Sequence, residues 1–179
     1  MSKELEVKIL DINVDEMIKR LEKIGAVRIT REKQTNYTFK SNKDIISNGS
    51  YLRIRKTIDE KGVKKELTFK KKGNSQILRS YEEYTTNITD IDMTIEILKN
   101  LSLEIEYVGY KDRISYKLDD VRFDIDIWDK KTYPDPYMEI EVQTEQDLLN
   151  VVKKLNIKQS QITKDSITQL REKKSLLEK

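Results

Sequence analysis

Near the start of the chain, Glu4, Glu6 and Lys8 stand at every second position, alternating with Leu5, Val7 and Ile9. Residues two apart share one face of a β-strand, so this spacing gathers two carboxylates and an ammonium on one side. Carboxylates suit hard divalent cations, and an ammonium suits an anion. The same sorting recurs along the chain. In YLRIRKT the polar set is Tyr51, Arg53 and Arg55, and in LTFKKK it is Thr68, Lys70 and Lys72. In KDRISYKL it is Lys111, Arg113 and Ser115; in VRFDIDIW, Arg122, Asp124 and Asp126; in YMEIEV, Glu139 and Glu141. Acids occupy the first strand and the last two, with Arg and Lys on the strands between. A merely solvated sheet face mixes signs and carries more Ser, Thr and Gln.

The elements that must position these groups follow from the remaining pattern. Strand 1 is predicted over about Glu4–Leu10. Helices are predicted over about Val14–Ile24, capped by Asn13 or Asp11, and Ile91–Leu101, capped by Thr89 or Asp90. Two more are predicted over about Glu145–Leu155 and Lys164–Glu178. QTNYTF (Gln34–Phe39), Tyr51–Thr57, Glu66–Lys72 and ILRSYEEYTT read as strands, with turns at DEKG and Gly73-Asn74. After the second helix come EIEYVGYKDRISYKL, a turn at Asp119-Asp120, VRFDIDIWD and YMEIEV, with the prolines of TYPDP in a loop. Short connections make the strands mainly antiparallel. The class is α+β, with enough strands to close a barrel. No linker, repeat or composition shift divides the 179 residues, so one domain over 1–179 is expected.

Composition narrows the chemistry. Lys plus Arg is 35 against 32 for Asp plus Glu, a net charge of +3, so no blanket of one sign points to nucleic acid or anionic membrane. There is no Cys and no His. That excludes disulfides, Ser-His-Asp and Cys-His catalysis, and thiolate or imidazole metal sites. A metal, if used, takes oxygen ligands, which favours Mg²⁺, Mn²⁺ or Ca²⁺. No apolar run suits a signal peptide or a membrane span, and a cytoplasmic protein is expected. If the charged faces close inward, the wall is cationic in one sector and anionic in another. Its natural guest is a polyanion with a divalent cation.

The ordered set ELEVK, LRIRK, TFKKK, EEY, KDR, FDIDIW and MEIEV resembles the CYTH superfamily, the triphosphate tunnel metalloenzymes, through nearly the whole chain. The resemblance implies a closed antiparallel eight-stranded β-barrel with flanking helices and a phosphate-filled tunnel. It also implies Mg²⁺- or Mn²⁺-dependent hydrolysis of inorganic triphosphate, polyphosphate, thiamine triphosphate or a nucleoside triphosphate, or class IV adenylyl cyclase activity. Glu4, Glu6, Glu139 and Glu141 resemble metal ligands, and Asp126 the carboxylate associated with a second metal. Lys8, Arg53, Arg55, Lys70, Lys72, Lys111 and Arg113 resemble the phosphate-binding wall, and Lys164 a basic residue near the tunnel mouth. Glu83 resembles a mid-chain glutamate of the family, and Asp124 stands beside Asp126 without an assigned role. Family members often carry an aspartate where Asn36 stands and an aromatic where Ser166 stands.

The mechanism this implies is phosphoryl transfer to water, with Glu4, Glu6 and Asp126 serving the metals and Lys8 binding phosphate or assisting the leaving oxygen. In a cyclase the ribose 3′-hydroxyl attacks the α-phosphorus instead. The rivals are a non-catalytic polyphosphate or nucleotide sensor and an RNA-binding barrel. The second has only Tyr51 and Tyr81 as candidate stacking residues, and Tyr37, Tyr84, Tyr116 and Trp128 read as packing residues. The expected partner is a small-molecule triphosphate or polyphosphate, with no nucleic acid and no membrane. The charged segment REKKSLLEK packs across a tunnel end, pairs with a second chain as a homodimer, or is a solvated helix.

Overall fold

The structure, a computed structural model, describes residues 3–41, 46–47, 49–72 and 79–177, without the side chains of 3–5, 79–81 and 175–177. The expected turn at Gly73-Asn74 and the side chains of Glu4 and Tyr81 therefore lie outside the described residues. In chain order the elements are β1 (Lys3–Ile9), α1 (Val14–Lys23), β2 (Val27–Ser41), β3 (Tyr51–Asp59), β4 (Gly62–Lys72) and β5 (Arg79–Asn87). Then come α2 (Ile91–Asn100), β6 (Leu103–Leu118), β7 (Val121–Trp128), β8 (Tyr137–Val142), α3 (Glu145–Lys154), β9 (Ile162–Thr163) and α4 (Ile167–Leu177).

One nine-stranded sheet runs in the order β5-β4-β3-β2-β6-β7-β8-β1-β9. β5 also pairs with β1, from Lys3↔Glu82 to Glu6↔Arg79. The expected strand count is eight. The ninth strand is two residues beside β1 (Lys8↔Thr163, Ile9↔Ile162), too short to leave a period in the sequence. β2 is far longer than the predicted Gln34–Phe39, because pairing with the 16-residue β6 carries it from Val27 to Ser41. The β2–β6 ladder has register shifts at Arg28/Thr30 and Thr38/Phe39, and Thr38 and Phe39 are both buried because Thr38 lines the polar interior while Phe39 packs with Leu52 and Ile54. Hairpins form where expected: Asp59 pairs Gly62, whose φ of 123° suits glycine, and Leu118 pairs Val121 around Asp119.

The helices are seated by the apolar face of the sheet. Met17 and Leu21 of α1 and Val151 of α3 pack with Val7, Ile9, Phe123, Ile125, Ile140 and Val142. Ile95 and Leu98 of α2 pack with Phe39, Leu52 and Ile54. Leu170 of α4 meets Tyr133 and Tyr137. The N-caps are Asn13, whose side chain accepts from the Glu16 N–H at 3.1 Å, and Asp90, which accepts from Met93 N–H at 2.9 Å. With the apolar residues consumed on one face, the other face carries buried polar groups: Lys8, Asn36, Thr38, Thr68, Lys70, Lys111, Arg113, Asp124 and Asp126. Among the described residues no helix is long and apolar enough to cross a membrane.

Candidate functional site

A cavity of about 810 Å³ is lined by this polar face. Glu6, Lys8, Arg53, Arg55, Lys70, Lys72, Glu83, Lys111, Arg113, Asp124, Glu139, Glu141 and Lys164 all line it, so side chains from β1, β3–β8 and the approach to α4 converge as the alternation requires. Glu4 sits in β1 in register with Tyr81, its side chain outside the described residues. Lys72 and Lys164 are exposed at the rim, while Lys8 and Lys111 are almost wholly buried.

Strand register builds the acidic sector. In the β1–β8 ladder Glu6 is opposite Glu141 and Lys8 opposite Glu139; in β7–β8, Asp124 is opposite Glu139. Lys8 Nζ lies 3.0 Å from Glu139 Oε1 and 3.8 Å from Glu6 Oε1. Burial alone would raise the Glu139 carboxyl, but Lys8, Arg113 and Lys111 hold it well below the ordinary carboxylate range.

Arg113 does more than line the wall. Its Nε donates to Asp126 Oδ1 at 2.6 Å, Nη1 to Asp124 Oδ2 at 2.8 Å, and Nη2 to Asp126 Oδ2 and Glu139 Oε2, each at 2.7 Å. Lys111 Nζ donates to Asp126 Oδ2 at 2.7 Å and stands 4.8 Å from the Trp128 ring centre. Burial, with Arg113 close by, pulls the Lys111 ammonium down to about 7 against the pull of Asp126. Asp126, which the resemblance assigns to a second metal, is fully buried, spends both oxygens on Arg113 and Lys111, and is absent from the cavity lining. It anchors two cations from behind the wall. The segregation expected from strand order is thus incomplete, since Arg113 is embedded among the acids.

The opposite sector is less satisfied. Arg55 Nε donates to Asn36 Oδ1 at 2.9 Å, and among the described residues no carboxylate lies within ion-pair distance of Arg55 or Arg53. Arg53 Nε is buried without an acceptor among the described residues, and its guanidinium lies 6.0 Å from the Tyr51 ring centre. Burial, with Arg53 and Arg113 nearby, pulls Arg55 down to about 9. Lys70 pairs with Glu83 at 2.9 Å.

Arg122, in the alternating polar set, lines the cavity too, but the alternation reading leaves out several other lining residues: Asn36, Thr38, Trp128, Tyr137 and Ser166. Parity could have found two of them: Tyr137 falls two positions before Glu139, and Trp128 two after Asp126. Trp128 Nε1 donates to the Tyr137 hydroxyl at 2.8 Å, so this ring is a wall element as well as the packing residue expected, lying against Tyr133, Tyr137 and Leu170. Tyr37 and Tyr116 do pack, in the two cores.

Among the described residues no group of three or more carboxylates is close enough to hold a metal ion as it stands. The donor chemistry nevertheless fits a hard divalent cation. Glu6, Glu139 and Glu141 present only carboxylate oxygens to the cavity, on adjacent strands in register.

A largely antiparallel sheet with an ionic face around a cavity, and helices on its apolar face, defines the class of fold. The chain belongs to the CYTH domain family, whose model matches residues 2–172. Its fold is similar to that of the PH1819 protein of Pyrococcus horikoshii, with a TM-score of 0.80 and 19% identity over 96% of this chain and 99% of that one. The PH1012 protein of the same organism gives 0.78 and 24%, over 93% and 98%. HpAC1 from Hippeastrum, named as an adenylyl cyclase and described with a dominant triphosphatase activity, gives 0.66 and 16%, over 93% and 91%. These are likenesses of fold. Comparison with curated proteins finds no match.

Proposed function

We propose that this chain is a divalent-metal-dependent hydrolase of triphosphates, inorganic or organic, working as one domain whose β5–β1 pairing closes the sheet around the cavity. The observation that carries the reading is the pair Arg53 and Arg55. Two guanidinium groups line the cavity with no carboxylate partner among the described residues, facing a sector of carboxylates already satisfied by Arg113, Lys8 and Lys111. Leaving half-buried cations without a counter-charge is unfavourable, and a ligand can supply it. A polyphosphate supplies it, and guanidinium forks match its oxygens in bidentate fashion. A cavity of about 810 Å³ accommodates a ligand of that class.

In this reading Arg53, Arg55, Lys70, Lys72 and Lys111 hold the phosphate chain, and Lys164 meets it at the rim. Glu83 holds Lys70 in place, as Asp126 holds Lys111 and Arg113. Glu4, Glu6, Glu139 and Glu141 would hold Mg²⁺ or Mn²⁺, which supplies charge neutralisation and acidifies water. Lys8, between Glu6 and Glu139, stabilises charge that develops on the leaving oxygen. No histidine can act as general base.

The test is a phosphate-release assay with tripolyphosphate, thiamine triphosphate and ATP side by side, with Mg²⁺ or Mn²⁺ and with chelator, and with every product identified. Metal-dependent release of phosphate is the expected result. Cyclic AMP from ATP, consistent with the adenylyl cyclase name of the Hippeastrum protein, would move the reaction to cyclisation. Tight tripolyphosphate binding without turnover would make the chain a sensor.

A further inference from the structure

β2 turns Gln34, Asn36 and Thr38 inward, and all three are buried polar side chains. Asn36 is the most informative, being 1% exposed and part of the cavity lining. Its register partner on β3 is Arg55 and on β6 is Gly109, which offers no side chain. Arg55 Nε can only donate, so the atom it meets at 2.9 Å must be the amide oxygen of Asn36. The orientation of the amide is thereby fixed by chemistry. Its Nδ2 faces the other way, buried and without an acceptor. A buried donor left unsatisfied destabilises the fold until an acceptor reaches it. Arg53 Nε, on the next inward pair of the same ladder, Thr38↔Arg53, is a second such donor.

We propose that Asn36 contacts substrate in this cavity, its amide N–H donating to an oxygen of a fully ionised phosphate chain while its amide oxygen fixes the Arg55 guanidinium. The inference rests on the polyphosphate reading above and deepens it. The aspartate that the resemblance places here in many family members can hold the same guanidinium but has no N–H to donate, so the phosphate contact belongs to the amide. Together, Asn36 Nδ2 and Arg53 Nε are two donors from neighbouring register pairs, and they suit oxygens that only accept.

Titration calorimetry of metal-free protein with sodium tripolyphosphate tests this, with thermal unfolding as the control for folding. Asn36→Ala should weaken binding about 10-fold, the loss of one hydrogen bond to a charged group. Asn36→Asp should also weaken it about 10-fold, since it too lacks the N–H, yet unfold no earlier than the wild type, because the carboxylate still holds Arg55. If Asn36 acted only by fixing Arg55, its removal would be silent once Arg55 is gone. The N–H contact instead predicts that Asn36→Ala still costs about 10-fold in an Arg55→Met background. A silent Asn36→Ala in that background, or an Asn36→Asp variant binding as tightly as the wild type, overturns the inference and leaves the polyphosphate reading standing. A wild type that does not bind tripolyphosphate overturns both. Should Asn36→Asp fail to fold, the Asn36→Ala comparison decides alone.

Discussion

Two arginines on inward faces of this sheet have opposite roles. Arg113 is enclosed by Asp124, Asp126 and Glu139, and these carboxylates raise its pKa well above the ordinary value despite burial. Arg113→Met would leave three acids facing one another in a buried site. Its expected cost is about 3–5 kcal/mol, read from urea unfolding. Arg53, half-buried and without a carboxylate partner among the described residues, should behave in the reverse way. Arg53→Ala is expected to raise KM for tripolyphosphate with little change in the unfolding midpoint. Unchanged KM and kcat would remove it from the phosphate wall. Glu83 offers a pH test. Burial would raise its carboxyl, but Lys70, with Thr85 and Arg53, pulls it down to about 2. A carboxyl depressed on folding contributes stability that is present above its ordinary pKa, near 4.5, and lost as pH falls towards about 2. The group is partly solvated, so the contribution is about 1 kcal/mol. Between about pH 5 and about pH 2, wild-type protein should lose more thermal stability than Glu83→Gln by that amount, and parallel curves would show no linkage.

At the level of elements, the inward faces were readable because a period of two is strict wherever one side of a strand packs a core. Glu6 and Lys8, Arg53 and Arg55, and Glu139 and Glu141 all fall where alternation sets them. Three features escaped that rule for physical reasons. Most of β2 lies outside the predicted Gln34–Phe39, because its length is set by pairing with β6 and not by its own pattern. β9 is too short to show a pattern. Arg113 and Asp126 have inward parity, yet whether a group faces a ligand or its neighbours depends on cross-strand distances that no single strand encodes. Gly109 illustrates the same limit. A Cβ there would come within 2.8 Å of both Trp128 Cζ3 and Thr132 Oγ1. Gly109→Ala therefore displaces the Trp128 ring, loosens its bond to Tyr137 and moves it from Lys111. Overpacking of this kind costs about 1–3 kcal/mol. Trp128 is the sole tryptophan, so its emission should shift in the variant before any denaturant is added, and an unchanged spectrum would show that the ring does not depend on this glycine.

Across the whole molecule, apolar clusters beneath the helices and an ionic cavity divide the side chains between them, and that division explains a composition so rich in charge. Class and chain-wide family followed from the sequence because the sorting of charge spans every long strand. The exact ladder did not, since nothing in one strand states which distant strand it will adjoin. β1 shows what this entails for assembly. It pairs with β5, β8 and β9, and the Leu10 carbonyl just beyond it accepts from Gln161, 151 positions along the chain. Such remote closure slows folding, because loop entropy is lost before the distant contacts form. Glu6 and Lys8 should thus be seated late, after the arginine-bearing hairpins have formed. Pulse-labelled hydrogen exchange during refolding should find β1 amides among the last to be protected. Early protection there would mean that the opening strand nucleates the sheet. If the proposed triphosphate reading holds, a chain caught midway would already grip phosphate with its basic strands while lacking the acids that complete its chemistry, a half-made molecule able to hold its substrate but not to transform it.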